Sequence, residues 1–257
     1  MTAALSQTFF LTARVLRALA RQPIWIVVMV VQPMFWLLLY SQLFRRITDL
    51  PGFGTTSYID YLTPGVAVMT AFFSGSWAGM GMIEDLDRGV LERFLATPAH
   101  RGAIVFGRIL ESSIVATLQA VLILVTGLLL GARNGGVAGW LVILVASFLI
   151  AAGFAGFSHG IALLTRQDAT MIAIAQFVGL PLLFFSSLLI ARELIPGWMQ
   201  TLSLLNPVEW AVRAARGEAL PGTDWGEMGA FILLLLAFAG ATAAFATWSF
   251  RSYQRTL

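Results

Sequence analysis

Six long stretches of apolar residues, separated by shorter polar connections, divide most of the chain. Each stretch reaches the length of about 20 residues that a helix needs to cross a hydrocarbon core of about 30 Å. Because the runs are continuous and do not alternate at every second residue, they predict helices and not the strands of a membrane barrel. The six predicted spans are residues 24–44, 61–83, 104–130, 137–164, 169–190 and 228–250.

Proline residues lie inside two of these apolar runs. Pro33 falls in the middle of the first predicted span and Pro181 in the second half of the fifth. A proline removes one hydrogen bond of the helical ladder and crowds the preceding turn. We therefore expect a kink at Pro33 and a break of the fifth span near Pro181.

The segment before the first span, residues 1–22, has the pattern of a basic amphipathic helix. Arg14, Arg17 and Arg21 fall on one helical face, and apolar residues such as Phe9 lie roughly opposite. A helix of this kind lies in the membrane interface without crossing the membrane.

Composition supports an integral membrane protein. Apolar residues make up 58% of the 257 residues and charged residues only 11%, whereas a soluble domain carries about 25% charged residues. Backbone groups in lipid must satisfy their own hydrogen bonds, which restricts the spans to helices. The sequence predicts an all-α integral membrane protein in which residues 1–257 form a single transmembrane domain.

The chain contains neither cysteine nor lysine, since all sixteen basic residues are arginine. A nucleotide-binding P-loop requires the lysine of its GKS/T end, so the sequence excludes a standard ATP-hydrolysing site within these residues. Two histidines and the absence of cysteine leave no metal-ligand spacing, and we predict no metal site and no catalytic residues. The chain is therefore not expected to be an enzyme by itself.

Arginine positions predict the orientation. With the N-terminus inside, the inner segments carry ten arginines and the outer segments six. An excess of positive charge marks the cytoplasmic side of a membrane protein. We expect both termini in the cytoplasm.

The inner connection after the second span, residues 84–98, has helical spacing. Leu86 and Phe94 belong to an apolar stripe, and Glu84 and Arg88 are neighbours one turn apart on the polar side. On periodicity alone, a solvated amphipathic connector is the favoured interpretation of this segment.

This connection and several other motifs carry a family resemblance. The motif residues are Arg88-Gly89, Leu91-Glu92, Leu95, Thr97-Pro98, Gly107-Arg108, Tyr61-Leu62-Thr63-Pro64-Gly65, Pro196-Gly197-Trp198 and Leu205-Asn206-Pro207. Because these motifs occur in this order among six predicted spans, the sequence resembles the ABC-2 type permeases. Those proteins are the transmembrane subunits of exporters in the daunorubicin-resistance and nodulation families.

The resemblance implies that residues 84–98 form a coupling helix, which docks on a separate ATP-binding subunit. That subunit would bind ATP and Mg²⁺, and this chain would bind no cofactor. The residues expected to make the coupling contacts are Glu84, Asp85, Arg88, Gly89, Glu92, Arg93 and Pro98.

The outer stretch before the last span, residues 191–227, contains two short segments bounded by prolines. In the similar family this region forms short re-entrant helices that act as an external gate, whereas by composition it is equally typical of an outer loop that lies on the lipid. The candidate gate residues are Pro196, Trp198, Asn206 and Pro207.

Small residues and the resemblance together predict how the helices associate. Gly75 with Gly79, and Gly156 with Gly160, form GxxxG pairs that bring helices close together, either within the chain or between chains. The resemblance implies two permease subunits, expected as a homodimer, with two ATP-binding subunits. Candidate residues lining a path at that interface are Gln32, Phe35, Phe72, Phe73, Trp77, Gln176 and Ser186.

The resemblance predicts a multi-pass subunit of an ATP-driven exporter in the plasma membrane of a prokaryote, surrounded by membrane lipids. Amphipathic drugs or lipids are the expected cargo, as in multidrug resistance and lipid transport, and lipid-linked polysaccharides are the alternative. A non-transporting membrane scaffold or an intramembrane enzyme are rival classes, and the basic pI of about 9.9 is attributed to arginine-rich loops, without nucleic acid as a partner.

Overall fold

The computed structural model describes residues 23–49, 57–89, 101–133, 135–217 and 225–254. Every regular element in these ranges is a helix. The α-helices are α1 (Pro23–Leu43), α2 (Tyr58–Asp87), α3 (Arg101–Leu129), α4 (Gly136–Thr165), α5 (Asp168–Phe184), α6 (Gly197–Ser203), α7 (Pro207–Gly217) and α8 (Trp225–Gln254). Short 3-10 helices cover Arg45–Asp49 and Arg192–Leu194.

The long helices coincide with the apolar runs. Four of them, α2, α3, α4 and α8, are long and apolar enough to cross a membrane. The helix α5 is apolar but has only 17 residues, and α1, with 21 residues, occupies the first predicted span. The described residues thus form an all-helical fold with four long candidate spans, and the number of six crossings stays a prediction.

The helix α4 lies at the centre of the bundle and packs against α2, α3, α7 and α8. Its contact with α2 depends on small residues. A Cβ atom added to Gly75 would lie 2.5 Å from the backbone oxygen of Ala151. At Gly79 the backbone N–H donates a 2.9 Å hydrogen bond to Ser158 Oγ, which donates in turn to the Ser76 carbonyl at 2.7 Å. The GxxxG pair of α2 therefore packs within the chain.

The second GxxxG pair brings α4 against α8. A Cβ atom on Gly156 would lie within 3 Å of Thr242, and Gly160 faces the ring of Phe245. Side chains of α8 thus fill the space above glycines of α4. Both GxxxG pairs are used inside one subunit.

The fifth predicted span ends earlier than expected. The helix α5 continues through Pro181 and stops three residues later, at Phe184. The span therefore breaks near Pro181 as expected, whereas the prediction of a helix to residue 190 is wrong. Residues 185–190 are not helical. A side chain from a later part of the chain binds carbonyl groups at the C-terminal end of α5. Asn206 Nδ2 donates to the carbonyls of Leu182 at 2.6 Å and Phe185 at 3.1 Å.

The second predicted span is longer than expected at its C-terminal end. The helix α2 runs to Asp87, so Glu84 and Asp85 belong to its last turns and do not begin a separate helix. Gly89 then adopts a left-handed conformation with φ of 63°, which favours glycine and ends α2. The rest of the predicted coupling helix and the amphipathic segment 1–22 lie outside the described residues.

Candidate functional site

Polar and charged side chains gather at two opposite ends of the bundle. One end, which we call the Arg108 end, contains Asp85 and Arg108. The other, which we call the Arg216 end, contains Glu209 and Arg216 on α7. Between these two ends the helices pack against one another through apolar and small residues.

At the Arg108 end, one arginine holds two carboxylates from two helices. Arg108 on α3 forms an ion pair with Asp85 at the end of α2, and its Nη1 lies 3.1 Å from Glu111 Oε2. All three side chains are about one-fifth exposed, so solvent screens these pairs less than it screens surface pairs. Asp85, a predicted coupling contact, therefore pairs with Arg108 inside the chain.

The neighbouring pair at the same end remains exposed. Arg88 Nη2 lies 2.5 Å from Glu84 Oε1, and their side chains are 69% and 59% exposed. An exposed pair one turn apart contributes only about 0.3–0.5 kcal/mol. Both side chains are therefore open to a protein that approaches this end, while the predicted contacts Glu92, Arg93 and Pro98 lie outside the described residues.

At the Arg216 end, a buried guanidinium binds the backbone of the non-helical segment 185–190. Arg216 is 6% exposed. Its Nη1 donates to the Ser187 carbonyl at 2.7 Å, its Nη2 to the Leu188 carbonyl at 2.6 Å, and its Nε to the Tyr61 carbonyl at 3.2 Å. The carbonyls of Ser187 and Leu188 lie outside any helix, so a charged donor supplies the hydrogen bonds that they would otherwise lack.

Tyr61 completes the surroundings of the guanidinium. Its ring lies 3.5 Å from the Arg216 Cζ atom, a distance at which a cation is attracted to the face of an aromatic ring. Its hydroxyl donates to the Ser187 carbonyl at 2.6 Å. The motif at the start of α2 thus positions both a ring and a hydroxyl at this site.

Glu209 binds the other backbone group of the same residue, Ser187. Its Oε2 accepts a 2.6 Å hydrogen bond from the Ser187 N–H, and its side chain is fully buried. Its Oε1 has no partner among the described residues. Ser187 is therefore held at its N–H by Glu209 and at its carbonyl by Arg216 and Tyr61, and we call these three side chains the Ser187 clamp.

The clamp depends on how α7 begins. Asn206 accepts a 2.9 Å hydrogen bond from the Val208 N–H through Oδ1, which caps the helix, and Pro207 occupies the first helical position, where its missing N–H costs nothing. The same asparagine caps the end of α5 through its amide group. Asn206 therefore ties the start of α7 to the end of α5.

The model of the family described as ABC-2 type transporter matches residues 6–219. The match includes α1 to α7 and both polar ends. The chain belongs to the ABC-2 type transporter family.

Proteins similar to this ABC-2 permease carry transport names. It is 30% identical to the transport permease ycf38 of Cyanophora paradoxa over 82% of this chain and 73% of that protein. It is 28% identical to the daunorubicin resistance ABC transporter permease protein DrrB1 of Streptomyces coeruleorubidus, over 98% of this chain and 87% of that protein. Identity to the doxorubicin resistance ABC transporter permease protein DrrC of Mycobacterium tuberculosis H37Rv is 25%, over 84% and 78% of the two chains.

The predicted gate residues of the permease lie around α6 and α7. The exposed Pro196 precedes α6, and the Trp198 ring, 59% exposed, meets the ring of Phe185 edge-on at 5.9 Å. Asn206 and Pro207 begin α7 as described above. Trp198 and Asn206 therefore both contact Phe185, the residue that follows α5.

The predicted path-lining residues are divided between exposed and buried positions. Gln32 and Phe35 on α1 and Gln176 on α5 are exposed, whereas Phe72 is buried and meets the ring of Phe154 edge-on at 4.6 Å. In this conformation Phe72 is therefore a core residue and does not face an open path.

The other three candidates occupy intermediate environments. Phe73 and Trp77 are half-buried on α2, and Ser186 is buried, with its hydroxyl donating to the Leu183 carbonyl at 2.6 Å. A narrow cleft between α2, α4 and α5 is lined by Phe72, Ser76, Phe154, Phe157, Met171 and Val178. Its lining is mostly apolar, because the serine hydroxyls are engaged by backbone carbonyls.

Sequence reasoning did not find the Ser187 clamp, although one signal pointed to it. Arg213 and Arg216 stand in a helix otherwise rich in alanine and valine, and a charge in such surroundings requires a partner. Arg213 pairs with Glu227 and stacks over Phe231. Which of the two arginines is buried follows only from the packing of α7 against α2 and α4.

Proposed function

We propose that this ABC-2 permease is the membrane-spanning subunit of an exporter that moves amphipathic drugs or lipids out of a prokaryotic cell. The support is the family match over residues 6–219 together with similarity along 98% of the chain to a daunorubicin resistance permease. The sequence contains no lysine for a P-loop. ATP and Mg²⁺ are therefore assigned to a separate ATP-binding subunit.

The proposed topology has six crossings with both termini in the cytoplasm. In this arrangement α1, α2, α3, α4, α5 and α8 cross the membrane, and α6 and α7 dip into the outer leaflet. The Arg108 end then faces the cytoplasm and the Arg216 end faces outward. The excess of arginine in the predicted inner segments supports this orientation.

The proposed coupling surface is the cytoplasmic connection that follows α2. Glu84 and Arg88 support it, because both charges are exposed at the end of a long helix that runs to the opposite face. A push on this end can be carried along α2 as a rigid element. Glu92, Arg93 and Pro98 complete the proposed docking segment.

The proposed path lies between two copies of the permease, with two ATP-binding subunits beneath them. Apolar side chains on α1 and α5 are exposed and available for this interface. The proposed outer gate consists of α6, α7 and the non-helical segment 185–190, with Pro196, Trp198, Asn206 and Pro207 among its residues. Amphipathic cargo suits a path lined by aromatic and apolar side chains.

Reconstitution with candidate ATP-binding subunits tests this function. The subunit is purified with and without the permease, and ATP hydrolysis is measured while an amphipathic aromatic compound is titrated in. We expect the compound to raise hydrolysis only in the complex. Hydrolysis that is unaffected by the permease and by every compound tested would support a scaffold instead.

A further inference from the structure

We propose that the Ser187 clamp holds the outer gate shut, and that releasing the segment 185–190 from Glu209, Arg216 and Tyr61 is a step of the transport cycle. That these three side chains hold the segment in its buried position concerns this chain alone, whereas the role of the segment as a gate and its release during transport rest on the proposed function. Arg216 and Glu209 are thus positioning residues, which act on cargo through the segment that they hold.

The backbone that the clamp binds lies beyond the last helical hydrogen bonds of α5. Phe185 and Ser186 still donate to carbonyls of the last turn of α5, whereas Ser187 and Leu188 are bound by the side chains of the clamp. Buried backbone groups without partners are costly, and the cost is greater in lipid than in water. Arg216 satisfies the carbonyls of Ser187 and Leu188, and Glu209 satisfies the Ser187 N–H. Opening the clamp in this position would therefore leave the Ser187 N–H and the Ser187 and Leu188 carbonyls without these partners.

The clamp joins three different elements of the fold. Glu209 and Arg216 lie on α7, seven residues and about 10 Å apart along the helix axis. Tyr61 lies on α2, and Ser187 follows α5. A movement of α2, whose far end carries Glu84 and Arg88, therefore reaches the clamp through Tyr61.

The packing around the guanidinium is tight. A Cβ atom on Gly65 would lie 2.8 Å from the Leu188 carbonyl oxygen and 3.0 Å from Arg216 Nη2. Only glycine at this position lets α2 approach the clamp so closely. This packing leaves little room for small shifts of the guanidinium, which favours release of the clamp in one step.

The carboxylate of Glu209 is only half satisfied by hydrogen bonds. Its Oε1 is buried without a hydrogen-bond partner among the described residues. A buried, half-satisfied carboxylate raises the free energy of the closed state. The clamp is therefore closed but not maximally stable, as a contact that opens in every cycle requires.

The experiment uses a single-cysteine reporter, because the native sequence contains no cysteine. Ser186→Cys places a thiol in the segment at a position that is 6% exposed and outside the clamp. The full chain is placed in lipid nanodiscs, so that a water-soluble maleimide reaches both faces. The rate of labelling then reports how often the segment leaves its buried position.

We expect slow labelling of the reporter in the otherwise native chain. Arg216→Gln should raise the rate by about tenfold or more, since it removes charge-assisted hydrogen bonds to two carbonyls. Tyr61→Phe keeps the ring beneath the guanidinium and removes one hydroxyl donor, so it should raise the rate by about two- to tenfold. Tyr61→Phe also keeps the test decisive if Arg216→Gln fails to fold.

Arg213→Gln is the matched control. Arg213 lies on the same helix, pairs with Glu227 and stacks over Phe231, at a distance from the segment. Its loss should leave the labelling rate unchanged. Equal rates in the native, Arg216→Gln and Tyr61→Phe chains would overturn the clamp.

The transport step is tested in the complex with its ATP-binding subunit. ATP should accelerate labelling of the reporter in the chain with an intact clamp. No acceleration in a complex that exports cargo would overturn the gating role. A complex that hydrolyses ATP but exports nothing would contradict the proposed function, while the labelling rates without ATP would still decide the clamp.

Discussion

At the scale of single residues, this permease depends on glycines that allow close helix packing and on buried polar side chains that make several hydrogen bonds. Gly75 and Gly79 let two helices touch through their backbones. Asn206 uses both its oxygen and its amide group to join two helix ends. Arg216 is buried with hydrogen bonds to three carbonyls. Each of these roles can be removed by one substitution.

Gly75→Ala should destabilise the permease. The added methyl group would lie 2.5 Å from the Ala151 carbonyl oxygen, so α2 and α4 would have to move apart, at a cost of about 1–3 kcal/mol. The melting temperature in detergent, measured by loss of folded protein on heating, reports this loss.

Gly81→Ala is the control for that substitution. Gly81 lies on the same helix, and an added Cβ atom would meet nothing within 4 Å. Alanine favours helix over glycine by up to about 1 kcal/mol, so stability should be equal or higher. Equal losses in both variants would show that the contact between α2 and α4 is not tight.

Asn206→Asp separates the two roles of Asn206. Aspartate keeps the oxygen that caps α7 but loses the donor to the carbonyls of Leu182 and Phe185. Because a buried carboxylate would then face carbonyl oxygens, we expect a loss of about 2 kcal/mol in stability. Thermal denaturation of purified protein measures it, and a native melting temperature in Asn206→Asp would limit the role of Asn206 to capping.

At the scale of the elements, the length of the apolar runs predicted the positions of the long helices, because each span needs about 20 apolar residues whatever its neighbours are. The end of α5 was not predictable in this way. Residues 185–190 are as apolar as the helix before them, and their non-helical form depends on donors from Asn206 and Arg216, which come later in the chain. The extension of α2 to Asp87 likewise depends on Arg108 as a partner for Asp85.

The two acidic residues near the end of α2 should respond differently to substitution. Asp85→Asn leaves Arg108 with Glu111 as its remaining carboxylate partner and should lower stability by about 1–3 kcal/mol. Glu84→Gln removes only an exposed pair, with an expected effect below about 0.5 kcal/mol. Melting temperatures of the two variants provide the comparison, and equal values would mean that the Asp85–Arg108 pair contributes nothing.

Charge reversal at Arg88 addresses coupling at the same end. Arg88 is 69% exposed, so Arg88→Glu should insert and fold normally. If this charge contacts the ATP-binding subunit, hydrolysis should no longer respond to cargo. Reconstituted ATPase assays with and without cargo measure the effect, and a native response in both Arg88→Glu and Glu92→Arg would argue against docking at this segment.

At the scale of the whole molecule, the two ends of the bundle differ in how they hold charged side chains. One end exposes charges next to the predicted coupling segment, and the other end buries charges around a non-helical segment. The helix α2 runs through the bundle and contributes to both, with Glu84 near one end and Tyr61 near the other. Composition and run length predicted this membrane bundle, whereas the buried charges required knowledge of which helices are neighbours.

ATP-dependent transport by the reconstituted complex tests the central claim most directly. Inside-out vesicles containing the permease and its ATP-binding subunit are supplied with ATP and an amphipathic aromatic compound, and uptake of the compound is measured over time. A subunit whose P-loop lysine is replaced provides the matched control. The proposed function predicts uptake with ATP that disappears in the control and without the permease. Uptake that is the same with and without the permease would contradict it.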